Sequence, residues 1–415
     1  MTALTGQRQV GAEPHVSTTS RQWPKHGGVT GEPLRVIALA LLGFACVGAA
    51  LLGDLSLPAK GGVALGYLAL VLTYSFRARP ELPKGIQLER ERTPALFVCL
   101  DEVRQKLGTP RLQQVLLVCD FSAALVRRNT LVLGLPYLQA VTEQEFRAGI
   151  AREFVRGRGW LRRRDELAAD RASAQLTSAE IAGSSLVAGE LRRRFLEERF
   201  WPAIYARAEE LPSPDPVDPF ETLPGALKEI CDEDAREWLT PRLQERLDAL
   251  GVGGVEVQVP PPPEVSAAQS LLGKALPGLK ARLAEIWRFE AAQWWHERYE
   301  YVAAARKRLG ELAGAQQRSY AEGWELARLC EELEGGEAAL PLYREMMEED
   351  LEDARASFAM GRVLLAGGDE TGLVYLDRAM ELDAEAVETA CRLAQGFLTR
   401  AGRESEARAY GERLT

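Results

Sequence analysis

The apolar and polar positions divide the chain into regions of different period. Residues 1–32 are polar and rich in Gly, Ser and Thr, which predicts a disordered tail. From Val36 to Gly53 the segment "VIALALLGFACVGAALLG" carries no charge over 18 residues, close to the length that spans a bilayer. A second uncharged run of 16 residues, "GGVALGYLALVLTYSF" (Gly61–Phe76), follows a loop holding Asp54 and Lys60. Tilt and flanking residues can complete such a short partner, so the two runs predict a transmembrane helical hairpin over residues 33–78. The competing reading is a buried hairpin in a soluble core. The polar stretch ahead of the first run argues against a cleaved signal peptide.

Beyond the hairpin the pattern becomes that of a soluble fold. "RTPALFVCLDEVRQK" (92–106) has helical apolar spacing at Leu96, Phe97, Leu100 and Val103. Three β-rich pieces follow at 113–120, 122–128 and 130–136, separated by turn residues, and predict a small sheet. Thr142 and Glu145 in "TEQE" form a capping box that opens the next helix. Helices are predicted over 164–210 and about 224–250, on either side of the Pro-rich 212–220. "VPPPPE" (259–264) predicts a polyproline spacer and a domain boundary. The Trp-rich 266–313 predicts a helical pair, with Trp287, Trp294 and Trp295 in its core.

From about residue 317 the pattern repeats. Turns fall at Gly335-Gly336, Gly368 and Gly402, and Tyr343, Leu376 and Tyr410 stand 33 and 34 residues apart. The stretch 356–386 resembles a tetratricopeptide unit, with Gly361 at the close helix contact and Ala379 before the outgoing loop. Three such units are enough to form a stack. The expected organisation is a tail (1–32), the hairpin (33–78), a main domain (79–259), a Pro-rich linker (260–265), a helical extension (266–316) and repeats (317–415). The expected fold class is mainly α (α+β).

Charge and composition narrow the functional classes. The net charge of −9 gives no global attraction to nucleic acid, and no nucleic-acid partner is expected. Arg21, Lys25 and Arg35 precede the first apolar run, and Arg77, Arg79 and Lys84 follow the second. By the positive-inside rule both flanks are cytoplasmic, so the soluble domains are expected there, anchored to a membrane of the cell or inner type. Six cysteines without a C-x-x-C pair fit reduced thiols and argue against a structural zinc site. The three histidines (His15, His26 and His296) are too scattered to form a metal cluster.

The chemistry-bearing stretch is "RAGIAREFVRGRGWLRRRDELAADR" (147–171). A zinc peptidase helix presents two His at i and i+4, which clamp the metal, and a Glu between them that activates its water. Here the corresponding residues read Arg152, Glu153 and Arg156. Arginine is always protonated and offers no lone pair, so neither Arg152 nor Arg156 can ligate zinc.

The surroundings "VLLVCDFSAALVRRNTLVLGLPYLQAVTEQEFRAGIAREF" and "RRDELAADRASAQL" resemble the membrane zinc metallopeptidases of the HtpX and CAAX-prenyl-protease type. The resemblance covers roughly residues 80–313 and implies a zincin-like helical domain. It places Arg152 and Arg156 at the histidine positions, Glu153 at the general base, Glu166 at the third ligand and Asp170 at the aspartate that follows it. Ser122-Ala123 falls where the family usually has Asn-Ala, and Thr240 stands where it has a further histidine. Only nine residues separate Arg156 from Glu166, far fewer than the family places there, and Gly157 and Gly159 offer a turn that would bring Glu166 back.

With both histidines replaced, the expectation is a catalytically inactive member without a cofactor, a pseudopeptidase. Arg152 and Arg156 would stand in for zinc as fixed positive charges paired with Glu153, Glu166 or Asp170. Its expected partners are the membrane and a protein or peptide bound through the repeats. Two alternatives stay open: an active zinc metalloendopeptidase with unconventional ligands, and a repeat adaptor whose peptidase fold is only structural. The outer arginines (Arg158 and Arg162–Arg164) form either a solvated face or a contact with anionic headgroups.

Overall fold

The computed structural model describes residues 82–126, 129–156, 162–230, 238–253 and 259–413. The tail and the expected transmembrane hairpin lie outside them. Among the described residues no helix is long and apolar enough to cross a membrane. Contacts divide the chain into two compact units, one comprising residues up to Arg207 with Ser213–Trp294, the other Ala208–Pro212 with Trp295–Thr415. The polyproline segment therefore lies inside the first unit, and the division falls within a long helix.

The first unit is mainly helical with one small mixed sheet, in the order β1-β2-β4-β3. β2 (Gln114–Val118) and β4 (Thr130–Gly134) are parallel and central, and nearly every residue in them is buried. Covered on both faces, they read as unbroken apolar runs rather than as an alternation. β3 (Ala123–Val126) pairs antiparallel with β4 and is half-buried throughout. β1 (Ile86–Gln87) pairs antiparallel with β2. Two residues are too few to show a strand period, which is why β1 was not expected from the sequence.

The expected first helix is α1 (Pro94–Leu107), closed by Gly108 in the left-handed conformation at φ 61°. Its apolar stripe of Leu96, Phe97, Leu100 and Val103 is buried. After the short α2 (Leu135–Ala140) comes α3 (Glu143–Arg156), which carries the motif residues Arg152, Glu153 and Arg156. The capping box at its start is formed: the Glu145 N–H donates to Thr142 Oγ1 at 3.2 Å, and the Thr142 N–H donates to Glu145 Oε2 at 2.8 Å.

The region expected to be helical over 164–210 comprises several elements. α4 (Arg162–Leu176) stops before Ser178, whose side chain accepts the Ile181 N–H at 3.2 Å and starts α5 (Ala179–Phe195). A π-helical turn (Leu196–Phe200) and α6 (Trp201–Ala206) follow. The single helix expected over 224–250 is divided. α7 (Pro219–Ala226) is short, and α8 (Pro241–Ala249) begins anew with Thr240 as its cap. Proline at the first helical position loses no hydrogen bond there, so Thr240-Pro241 starts a helix rather than lying inside one.

α9 (Ala267–Leu272) precedes α10 (Leu276–Ala313), a helix of 38 residues. Trp287 and Trp295 on α10 are fully buried and Trp294 is half-buried. In the first unit Trp201, Tyr205, Trp287 and Trp294 form an aromatic cluster, with Tyr205 edge-on to Trp294 at 5.2 Å.

The second unit contains three successive helix pairs: α11 (Tyr320–Glu334) with α12 (Gly336–Glu349), α13 (Ala354–Ala366) with α14 (Gly372–Leu382), and α15 (Ala386–Arg400) with α16 (Glu404–Glu412). Gly335, Gly368 and Gly402 lie at the turns inside the pairs with φ of 101°, 84° and 74°, a region other residues rarely enter. Gly361 is at a close helix crossing as expected, since a Cβ there would stand 2.7 Å from the Gly372 carbonyl oxygen. Tyr343 and Leu376 are buried at corresponding positions, and the Tyr410 hydroxyl donates to Asp377 at 3.0 Å.

Candidate functional site

α3 is held from several sides. The Ser173 hydroxyl of α4 donates to the Ala148 carbonyl at 2.9 Å, and the Ser185 hydroxyl of α5 donates to the Glu145 carbonyl at 3.0 Å. Glu145 is itself buried. Its second carboxylate oxygen accepts from Ser184 at 2.8 Å, and Arg192 stands 3.5 Å away. The opposite end of the Arg192 guanidinium donates to the carbonyls of Pro260 and Pro261 at 3.3 and 2.9 Å. Tyr137 from α2 crosses the helix at Gly149, where a Cβ would meet the Tyr137 hydroxyl at 2.2 Å. Burial pushes the Tyr137 phenol up to about 12, so it is a neutral donor at physiological pH.

α3 ends at Arg156 and α4 begins at Arg162. The two helices pack side by side, so the short spacing does bring Glu166 back to the motif. The charges around them follow the sequence expectation only at Glu153. Arg156 donates to Glu153 at 3.0 Å along its own helix, and this pair is partly exposed. Glu166 accepts from Arg242 at 2.5 Å. Asp170, only 1% exposed, is gripped by both ends of the Arg246 fork at 2.8 and 2.7 Å. Neither Glu166 nor Asp170 takes an arginine of the motif helix.

The reason is a match of helical periods. Glu166 and Asp170 are four residues apart on α4, and Arg242 and Arg246 are four apart on α8, so each pair shares one helix face. Thr240 caps α8 through its hydroxyl, which accepts the Leu243 N–H at 3.3 Å, and thereby sets the position of that arginine pair. Arg242 and Arg246 are the site residues that sequence reasoning missed. The signal was present as two matching i, i+4 pairs of opposite charge, but nothing in the chain says that α4 and α8 meet.

Burial pushes the Glu166 carboxyl up, yet the Arg242 hydrogen bond and the charges of Arg242, Arg246 and Arg156 outweigh it and hold the carboxyl below the usual range. Burial pulls the Arg152 guanidinium below its ordinary value, against the field of Tyr137, Asp170 and Glu153. Its Nε–H is enclosed and has no acceptor, and Arg152 has no hydrogen bond or ion pair among the described residues. The expected pairing of Arg152 with a carboxylate is not formed, because each nearby acid already has an arginine of its own.

The donor set does not suit zinc. Two of its members are guanidinium groups without lone pairs, and the Glu166 carboxylate is bound to Arg242. Among the described residues no group of three or more His, Cys, Asp or Glu is placed to hold a metal ion. His296 is exposed on α10. Cys99, Cys119, Cys330 and Cys391 are free buried thiols.

A second titratable group lies at the end of β2. Burial, with the neighbouring Glu290 charge, raises the Asp120 carboxyl to about 7. The same acids sit beside the buried Cys119 thiol, whose Sγ is 3.7 Å from the Leu283 carbonyl and whose pKa burial raises to about 12. Because the folded-state value lies above the unfolded one, the folded chain binds more protons between about pH 4 and 7. Stability should therefore fall as pH rises through that window. In Asp120→Asn this part of the fall should vanish, which urea titrations at pH 5 and pH 8 would measure. An unchanged slope would remove the assignment.

No family model, no curated protein and no solved structure matches the chain.

Proposed function

We propose that this chain is a membrane-anchored, catalytically inactive metallopeptidase-like protein that serves as a binding or scaffolding module. The observation that carries the proposal is the pairing of acids with arginines where a zinc peptidase would keep its general base and third ligand. Glu153 is tied to Arg156 and Glu166 to Arg242, while Asp170 holds Arg246 bidentately. Such charge-assisted pairs supply the order that a metal would otherwise provide. The edge strand β3 packs beside α3, offering an extended peptide a strand to pair with. The helix pairs of the second unit, in this reading tetratricopeptide-like, provide a further surface for a protein partner, and the apolar runs at 36–53 and 61–76 provide the anchor.

Zinc measured on full-length protein purified from membranes should be far below one per chain, with no cleavage of unfolded casein. Stoichiometric zinc that disappears in Glu166→Ala would overturn the proposal in favour of an active peptidase.

A further inference from the structure

Within the first unit α10 turns a polar stripe outward, where Arg282, Glu285 and Gln293 are exposed at helical spacing. Phe289 stands in the middle of that stripe with 80% of its surface exposed. A phenyl ring gains by leaving water, so this position favours an apolar cover. A single exposed apolar residue needs no explanation by itself, and only its place in the fold gives this one a meaning. The next residue, Glu290, pairs with Lys84 at 3.7 Å. Gly85, between Lys84 and β1, lies so close to the β2 backbone that a Cβ would stand 2.6 Å from the Leu117 carbonyl oxygen. The chain is thereby pinned beside α10 just after Leu82, which is itself 47% exposed. The uncharged run 61–76 ends only six residues before Leu82. Six residues reach at most about 22 Å even when fully extended. A bilayer surface at the end of that run is therefore never far from Leu82, nor from the turn of α10 that Lys84 holds.

We propose that Phe289, together with Leu82 beside the Lys84–Glu290 pair, enters the lipid surface and forms a second, interfacial contact that sets how the first unit lies on the membrane. The choice of lipid rests on the reading of the runs 36–53 and 61–76 as an anchor, whereas the exposure of Phe289 and the Lys84–Glu290 pair are independent of it. The chemistry is that of an interface. The apolar ring enters the boundary between acyl chains and headgroups, while the Lys84 ammonium, on a side chain 76% exposed, and the exposed Arg282 stay at headgroup level. A hairpin alone holds a domain near the bilayer without choosing the face that meets it. A ring in the interface makes that choice.

Lipid photolabelling of the full-length chain tests this, in vesicles of phosphatidylethanolamine and phosphatidylglycerol doped with a phospholipid carrying a diazirine high on one acyl chain. Trypsin cuts after Arg288 and Arg298, so Phe289 is reported by peptide 289–298, and the two apolar runs by peptides 36–60 and 61–77. All three should carry lipid. Phe289→Ser should lower labelling of its peptide about tenfold, a change within what burial of one phenylalanine supports. Phe289→Leu should retain it, which separates loss of the contact from loss of a reactive ring. Both replacements are at an exposed position, and unchanged urea unfolding should show that they fold. Labelled runs with an unlabelled 289–298 overturn this inference alone and leave the anchor standing, as would happen if the run 61–76 packed back over α10. Labelling of 289–298 that persists in Phe289→Ser overturns it too. If neither run is labelled, the anchor reading fails and this inference fails with it.

Discussion

Replacing Asp170 by alanine should destabilise the folded chain by about 3–5 kcal/mol, because it strands the Arg246 guanidinium in a largely buried setting. Arg246→Ala should cost a similar amount for the converse reason, as the 1% exposed Asp170 would then be buried without its partner. The double variant Asp170→Leu/Arg246→Met should recover most of the loss, since apolar side chains of similar volume often replace a buried ion pair at little cost. Urea unfolding of the three variants measures the coupling directly. A double variant as unstable as the sum of the singles would mean that the pair is not the unit that joins α4 to α8. The exposed pair of Arg156 with Glu153 should contribute under about 1 kcal/mol in the same assay, which separates the structural part of the cluster from its surface.

The second large effect is expected at Gly134, the last residue of β4. Its N–H donates to the Ser122 carbonyl at 2.7 Å, and a Cβ would lie 1.7 Å from the Asp120 carbonyl oxygen and 2.7 Å from the Ser122 nitrogen. Those neighbours are backbone atoms, which cannot swing aside as a long side chain can. Gly134→Ala must push β4 away from the turn between β2 and β3. Overpacking of well-packed sites costs about 1–3 kcal/mol and more where backbone must move, so the loss should reach the upper end of that range or exceed it. Gly189→Ala on α5, where a Cβ meets nothing within 4 Å, is the control and should be neutral or mildly stabilising. Thermal unfolding of the two variants side by side checks the contrast. Equal midpoints would show that the β2–β3 turn is more yielding than its contacts suggest.

Both sites show which parts of this fold can be read from the chain. Period and local chemistry were legible: the apolar stripe of α1, the three longer strands and the Thr142–Glu145 box depend on residues a few positions apart. Gly361 belongs with them, since the spacing of the repeats marks it as a contact residue. Boundaries inside long apolar patterns were less legible. The Thr240 cap falls inside the single helix that the period suggests over 224–250, and the period alone overruns it. Pairings between distant segments were not legible at all. Arg242 and Arg246 reach Glu166 and Asp170 across 76 positions, and Asp120 meets Glu290 from the other end of the unit. Arg152 could be read from the chain only as an arginine where the resemblance would put a histidine, and its unpaired state follows only from where the other arginines point.

The polyproline segment illustrates the same limit and bears on how the protein can be divided. By composition residues 260–263 look like a spacer that could be cut without harm. In the fold, the carbonyls of Pro260 and Pro261 receive the buried Arg192 guanidinium, whose other end faces Glu145 at the start of α3. Fragments ending before Pro260 would remove two acceptors from an enclosed cation and loosen the cap of the motif helix. The prolines act as a clasp, already stiff before folding and therefore ordered at little entropic cost. A protease or an engineer seeking a hinge at this tract would meet part of the core.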